Sequence, residues 1–184
     1  MNMTRLLLVG LLWAGAALLS TQLQAATAYE LDRDARQALH SLYQKNPKAV
    51  QIANQASAAL IFPTIVKAGF IFGAHGGDGA LISKGGTIGY YNTSAVSYGL
   101  QAGVQKYGYV LFFMNHKAMT YLDRSGGWEV GVGPSIVIVD TGAGKNTNTT
   151  TLQKDIYAFM FDQKGLMAGL GLQGSKITRY TPDK

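Results

Sequence analysis

The chain has 184 residues, 16 lysines and arginines against 10 aspartates and glutamates, a formal net charge of +6, and no cysteine. Without cysteine there is neither a disulfide nor thiolate chemistry, so the fold must hold by packing alone. The basic balance suits anionic partners such as lipid head groups, polyanionic glycans or nucleic acid, or it serves solubility alone.

The first segment reads as a targeting leader. Arg5 supplies the positive start, and Leu6 to Leu19 form an apolar stretch short for spanning a bilayer. Polar Ser20, Thr21 and Gln22 end that stretch, and Leu23-Gln24-Ala25 offers a cleavage site after Ala25. An uncleaved N-terminal anchor is the other reading. The expectation is a signal peptide over 1–25 and one domain over 26–184, exported to the periplasm or secreted. Losing Arg5 with the leader leaves that domain at +5, and its length is enough for a real core.

Tyr29 to Lys45 reads as a helix, with Leu31, Ala35, Leu39 and Leu42 on one face. The stripe is narrow and lacks bulky aromatics, which favours docking on the domain over lying in a membrane surface. Asn46-Pro47 restarts a helix, cap then first turn, expected to run to about Ala59. Its small side chains suit close packing, and Pro63 forbids continuation.

The pattern then turns to strands. Ala58 to Gly86 reads as strand, glycine turn, strand: the glycines Gly73, Gly76, Gly77 and Gly79 predict a tight bend, with Lys67 and Lys84 on its two arms. Thr87 to Tyr91 reads as a short strand, Asn92-Thr93-Ser94 as a turn, and Ala95 to Val104 as a loosely alternating strand. Tyr107 to Met114 is the strongest apolar run and predicts a central strand buried on both faces. Asn115 caps a short helix closed by Gly126-Gly127. Ser135 to Val139 reads as another buried strand and Thr141 to Thr151 as a polar loop. Ile156 to Phe161, Leu166 to Leu172 and Lys176 to Tyr180 complete the strands.

Several chemistries can be weighed on these residues. Gly142-Ala143-Gly144-Lys145 lacks the glycine, the following hydroxyl residue and the helix that a phosphate loop needs. His75 and Asp78 share the glycine stretch and could form an acid–base pair or part of a metal site, but no third ligand lies nearby, and an exposed turn is the plainer reading. No nucleophile elbow or triad appears. Trp128-Glu129 reads either as a groove residue or as packing at the sheet end, with Glu129 paired to a lysine. Tyr90, Tyr91, Tyr98, Tyr107 and Tyr109 lack the interleaved arginines of a nucleic-acid surface. No enzyme, metal, cofactor or nucleic-acid partner is expected. Lys67, Lys84, Lys106, Lys164, Lys176 and Arg179 flank the strands; gathered on one face they would hold an anionic lipid surface, and scattered they would guard sheet edges.

Four stretches carry a family resemblance: IFPTIVKAGFIFG, DGALISKGGTIGYYNTSAVSYGLQAGVQ, SGGWEVGVGPSIVIVD and FDQKGLMAGLGLQGSKITRY. In this order they resemble the SYLF domain family, over about Leu31 to Tyr180. The resemblance implies lipid binding: exported lipid-binding proteins among bacterial members, actin-patch adaptors and phosphoinositide binders among eukaryotic ones. Together the readings predict an α+β domain, two N-terminal helices on a curved, largely antiparallel sheet with one short inserted helix. Its expected function is non-enzymatic binding of phospholipid or a related amphiphile at the bacterial envelope. The alternatives are a structural or adhesive envelope protein acting through its sheet edge, and a hydrolase using His75 and Asp78.

Overall fold

The structure, a computed structural model, describes residues 26–139, 153–164, 172 and 174–183; the side chains of residues 70–72 and 97–102 fall outside that description. The expected leader, the Thr141–Thr151 loop with Lys145, and most of the Leu166–Leu172 strand lie outside the described residues.

The architecture is α+β, with two N-terminal helices and a curled sheet. Helix α1 spans Ala28–Lys45 and opens with a capping box, in which Thr27 and Glu30 satisfy each other's backbone N–H. It buries Leu31, Ala35 and Leu42, the stripe expected of a docked helix. Helix α2 spans Pro47–Gln55, capped by the Asn46 side-chain Oδ1, which accepts from the N–H groups of Lys48 and Ala49. It ends earlier than its alanine-rich sequence suggests. Ser57 donates its N–H to the Phe113 carbonyl and the chain joins the sheet at Ala58.

Two long strands dominate the sheet. Strand β1 runs Ala58–Ser83 and β2 runs Gly86–Phe113, joined at Lys84-Gly85 into one antiparallel hairpin. Two expectations fail here. The glycine stretch is not a turn, and the breaks read at Asn92–Ser94 and before Tyr107 are interior to β2. Gly77 and Gly79 pair with Thr93 and Tyr91 in the ladder. They are required for a different reason. The hairpin folds back on itself, and a Cβ on Gly77 would overlap the Thr64 carbonyl, while one on Gly79 would overlap the Ile61 carbonyl. Register shifts between Phe62 and Ile65, around Pro63, and between Phe70 and Phe72 let the strands bend.

After β2 come the short helix α3 (His116–Met119), capped by Asn115 as expected, and a 3-10 turn over Thr120–Asp123. Strand β3 is Trp128–Glu129, β4 Ile136–Val139, β5 Ile156–Lys164 and β6 Lys176–Tyr180. The sheet order is β3-β6-β2-β5-β4, with β1 on β2. Among the described residues all pairings are antiparallel except β4 with β5. Strand β4 is only half-buried, not buried on both faces as expected; among the described residues it ends the strand order, with β5 as its ladder partner.

The two faces of the curled sheet bury different sets. Inside the curl lie Leu60, Phe62, Tyr109, Leu111, Phe113 and Trp128. Outside, Ala59, Ile61, Val110, Phe112 and Phe159 pack under α1 and α2. Residues 107–113 are thus buried on both faces, as the apolar run predicts.

Candidate lipid-binding surface

Between its crossing points the hairpin makes an excursion. Residues 66–75 of β1 and 95–106 of β2 leave the body as a two-stranded arch and return, and the Tyr109 hydroxyl donates to Thr93 Oγ1 at 2.9 Å across its base. Successive side chains alternate between the two sides of the arch.

The described side chains on the inner side include buried polar ones. Lys67 and Gln105 are register partners, 8% and 3% exposed. His75 is buried against Ser175, with its Nε2 and the Ser175 Oγ 3.1 Å apart, and stacks edge-on to Tyr107. Burial, and then the charge of Lys67, holds the His75 pKa below its ordinary value. Burial pushes Tyr107 up to about 12 and Tyr109 up also. The Oε1 atom of Gln105 is buried without a hydrogen-bond partner among the described residues.

The outer side continues the face that α1 and α2 cover elsewhere, but no described element covers it here. Val66 is 40% exposed, Val104 58% and Val96 89%. Val66, Lys106 and Lys164 form one row across β1, β2 and β5. Lys106 and Lys164 are both exposed register neighbours, and among the described residues neither meets a carboxylate. On the other leg, Lys176 of β6 stands opposite Ser94, with Glu129 across from it on β3.

The expected cations are therefore split. Lys106 and Lys164 come together. Lys84 sits in the hairpin turn, on the rim of an apolar cleft of about 180 Å³ beneath α1 and α2, lined in part by Leu39, Tyr43 and Phe112. Arg179 is engaged locally, 3.0 Å from Asp123 and donating to the Ile88 carbonyl. Lys67 is buried, and it does not share a turn with Lys84. Lys67 lies within β1 and Lys84 in the turn that follows it, because the glycines between them are ladder residues.

The His75–Asp78 pairing does not form. Asp78 accepts from Asn92 Nδ2 at 2.8 Å and from Tyr180, whose pKa rises to about 12 through burial and that carboxylate, while His75 faces Ser175. Among the described residues no group of three or more His, Asp or Glu converges as metal ligands. Trp128 is packed rather than open: it is 1% exposed, and its indole N–H donates to the Val132 carbonyl at 2.9 Å. The exposed valines of the arch were missed in the sequence. Their signal, alternation along Ala95 to Val104, is legible there, but not which side would be left uncovered.

Residues 94–183 match the model of the Ysc84 family, described as Las17-binding protein actin regulator. This is the SYLF domain that the four sequence stretches resemble, matched here over residues 94–183. The match begins inside β2, so the partner strand β1 and both N-terminal helices lie before it. No curated protein matches the chain.

Proposed function

We propose that this chain is a non-enzymatic lipid-binding protein of the bacterial cell envelope, exported by the leader at 1–25, that holds phospholipid or a related amphiphile through a basic surface. The observation that carries the reading is the pair Lys106 and Lys164. Like charges directly opposite in a ladder repel and cost stability, yet these two are exposed neighbours with no carboxylate at hand among the described residues. An anionic head group between them removes the repulsion and gains on the order of 1 kcal/mol per cation. The family resemblance supports the same reading. Sedimentation with phosphatidylcholine vesicles of rising phosphatidylglycerol content tests it. Binding should rise with anionic content and weaken with salt; no binding at any composition contradicts it.

A second reading, an adhesive or structural envelope protein, rests on β4. It ends the strand order, its sequence is apolar, and Ile138 is 46% exposed. A ladder edge that no described strand pairs with can accept a partner strand. Vesicle-independent self-association, abolished by Ile138→Lys, would favour it.

A further inference from the structure

We infer that the arch is a membrane wedge: its outer side enters the head-group layer of an anionic bilayer, with Val66, Val96 and Val104 immersed and Lys106 and Lys164 held at the phosphates. The inference rests on the lipid-binding reading and names its surface.

Three observations converge. First, the arch projects beyond the cover of α1 and α2. The same outer face that buries Val110 and Phe112 under those helices leaves Val104, on the same strand, 58% exposed. Apolar side chains grouped on one projecting element mark an interaction surface, whereas single exposed ones need no account. Second, the apolar and cationic residues are in register. Val66 neighbours Lys106, which neighbours Lys164, and Val104 lies two residues before Lys106 on the same side. Cations next to exposed valines match the order of a bilayer surface, phosphates outside and hydrocarbon within. Charge complementarity selects an anionic bilayer over another protein's apolar face, since a protein cover would leave Lys106 and Lys164 opposed and uncompensated. Third, the arch is stiffened from within. Lys67, His75, Gln105 and Ser175 are buried on its inner side, so the valines are presented on a packed element and little order need be gained on binding.

The chain has no cysteine, so a single introduced thiol reports on one position. The experiment labels Val104→Cys with an environment-sensitive nitrobenzoxadiazole dye. It adds vesicles of phosphatidylcholine and phosphatidylglycerol and compares the signal with Ile88→Cys, near the closed end of the hairpin. At Val104 the fluorescence should rise at least twofold with a blue shift, and lipids spin-labelled high on the acyl chain should quench it; at Ile88 it should stay constant. Val96→Glu with Val104→Glu should lower vesicle affinity at least tenfold with an unchanged melt. Should that double variant misfold, the dye at Val104 still decides. Wild-type protein that sediments with anionic vesicles while the Val104 dye stays unchanged overturns the wedge and leaves lipid binding standing. Protein that binds no vesicle overturns both.

Discussion

Two parts of the same hairpin meet different fates. In the body, residues 58–62 and 109–113 are buried on both sides, one side by the curl of the sheet and the other by α1 and α2. In the arch, residues 66–68 and 104–106 belong to the same two strands and keep the same alternation, yet only the inner side is buried. The two strands stay paired on both sides of the register shift at Pro63, so strand pairing alone does not explain the difference. Helix cover does: α1 and α2 stop short of the arch. An apolar side chain on a strand is core where a second layer meets it and an interaction surface where none does.

The contrast breaks most severely at the body. Phe112→Asp places a carboxylate under α1, where Phe112 is fully buried against Tyr43 and Phe159. The cost should be several kcal/mol, a large part of a domain's stability, and no soluble folded protein should be recovered. A normal cooperative melt would show that this face is not core.

Next in size is the crossing that creates the arch. Gly79→Ala forces a Cβ into the Ile61 carbonyl and the Phe62 ring. Backbone cannot yield as a flexible side chain does, so a loss of about 1–3 kcal/mol is expected in a denaturant melt. Gly85→Ala, where a Cβ meets open space, should change stability by less than about 0.5 kcal/mol. Equal effects would remove the crossing from the account.

Asp155 ties the body's far end. It accepts from Asn115 Nδ2, and from the N–H and hydroxyl of Ser135, at 2.8–2.9 Å. These bonds, that from Asn115 foremost, hold its pKa below the ordinary carboxylate value. A depressed carboxylate contributes stability above its unfolded pKa and loses it as pH falls through the folded one. Asp155→Ala should therefore destabilise at pH 7 by about 1–3 kcal/mol, with the difference from wild type shrinking below about pH 4.

The arch has its own pH signature. Burial, and then the charge of Lys67, hold the His75 pKa below its ordinary value, so the unfolded chain takes up a proton at higher pH than the folded one. Stability should fall as pH drops below the ordinary histidine value, near 6.5. His75→Gln should flatten this slope below about pH 6.5, as measured by hydrogen exchange in residues 66–75 and 95–106. An unchanged slope would place the acid sensitivity elsewhere.

How much of this was readable beforehand follows the same division. The body was legible because its signals are local: the α1 stripe, the Asn46-Pro47 and Asn115 caps, and the apolar run at Tyr107 to Met114. The arch was not. Glycine serves two purposes, positive φ and close approach, and the sequence pattern is the same for both. Gly77 and Gly79 serve close approach, so the predicted turn dissolved into a ladder and took the pairing of Lys67 with Lys84 with it. The meeting of Lys106 and Lys164 depends on the β2–β5 register across 58 positions of sequence, which no local pattern encodes.

The central claim is that the uncovered leg of the hairpin, where Lys106 opposes Lys164 of β5, is where lipid is held. Vesicle affinity of Lys106→Glu with Lys164→Glu, measured at low salt against Lys154→Glu with Lys184→Glu, tests it most directly, because both variants change net charge equally and Lys154 lies beyond the opposite end of β5. The account predicts at least a tenfold loss for the first pair and a several-fold smaller loss for the second, with both variants melting as wild type does. Equal losses would show that net charge does the binding, and no loss for the first pair would place the lipid elsewhere, with the cleft beside Lys84 the next place to look.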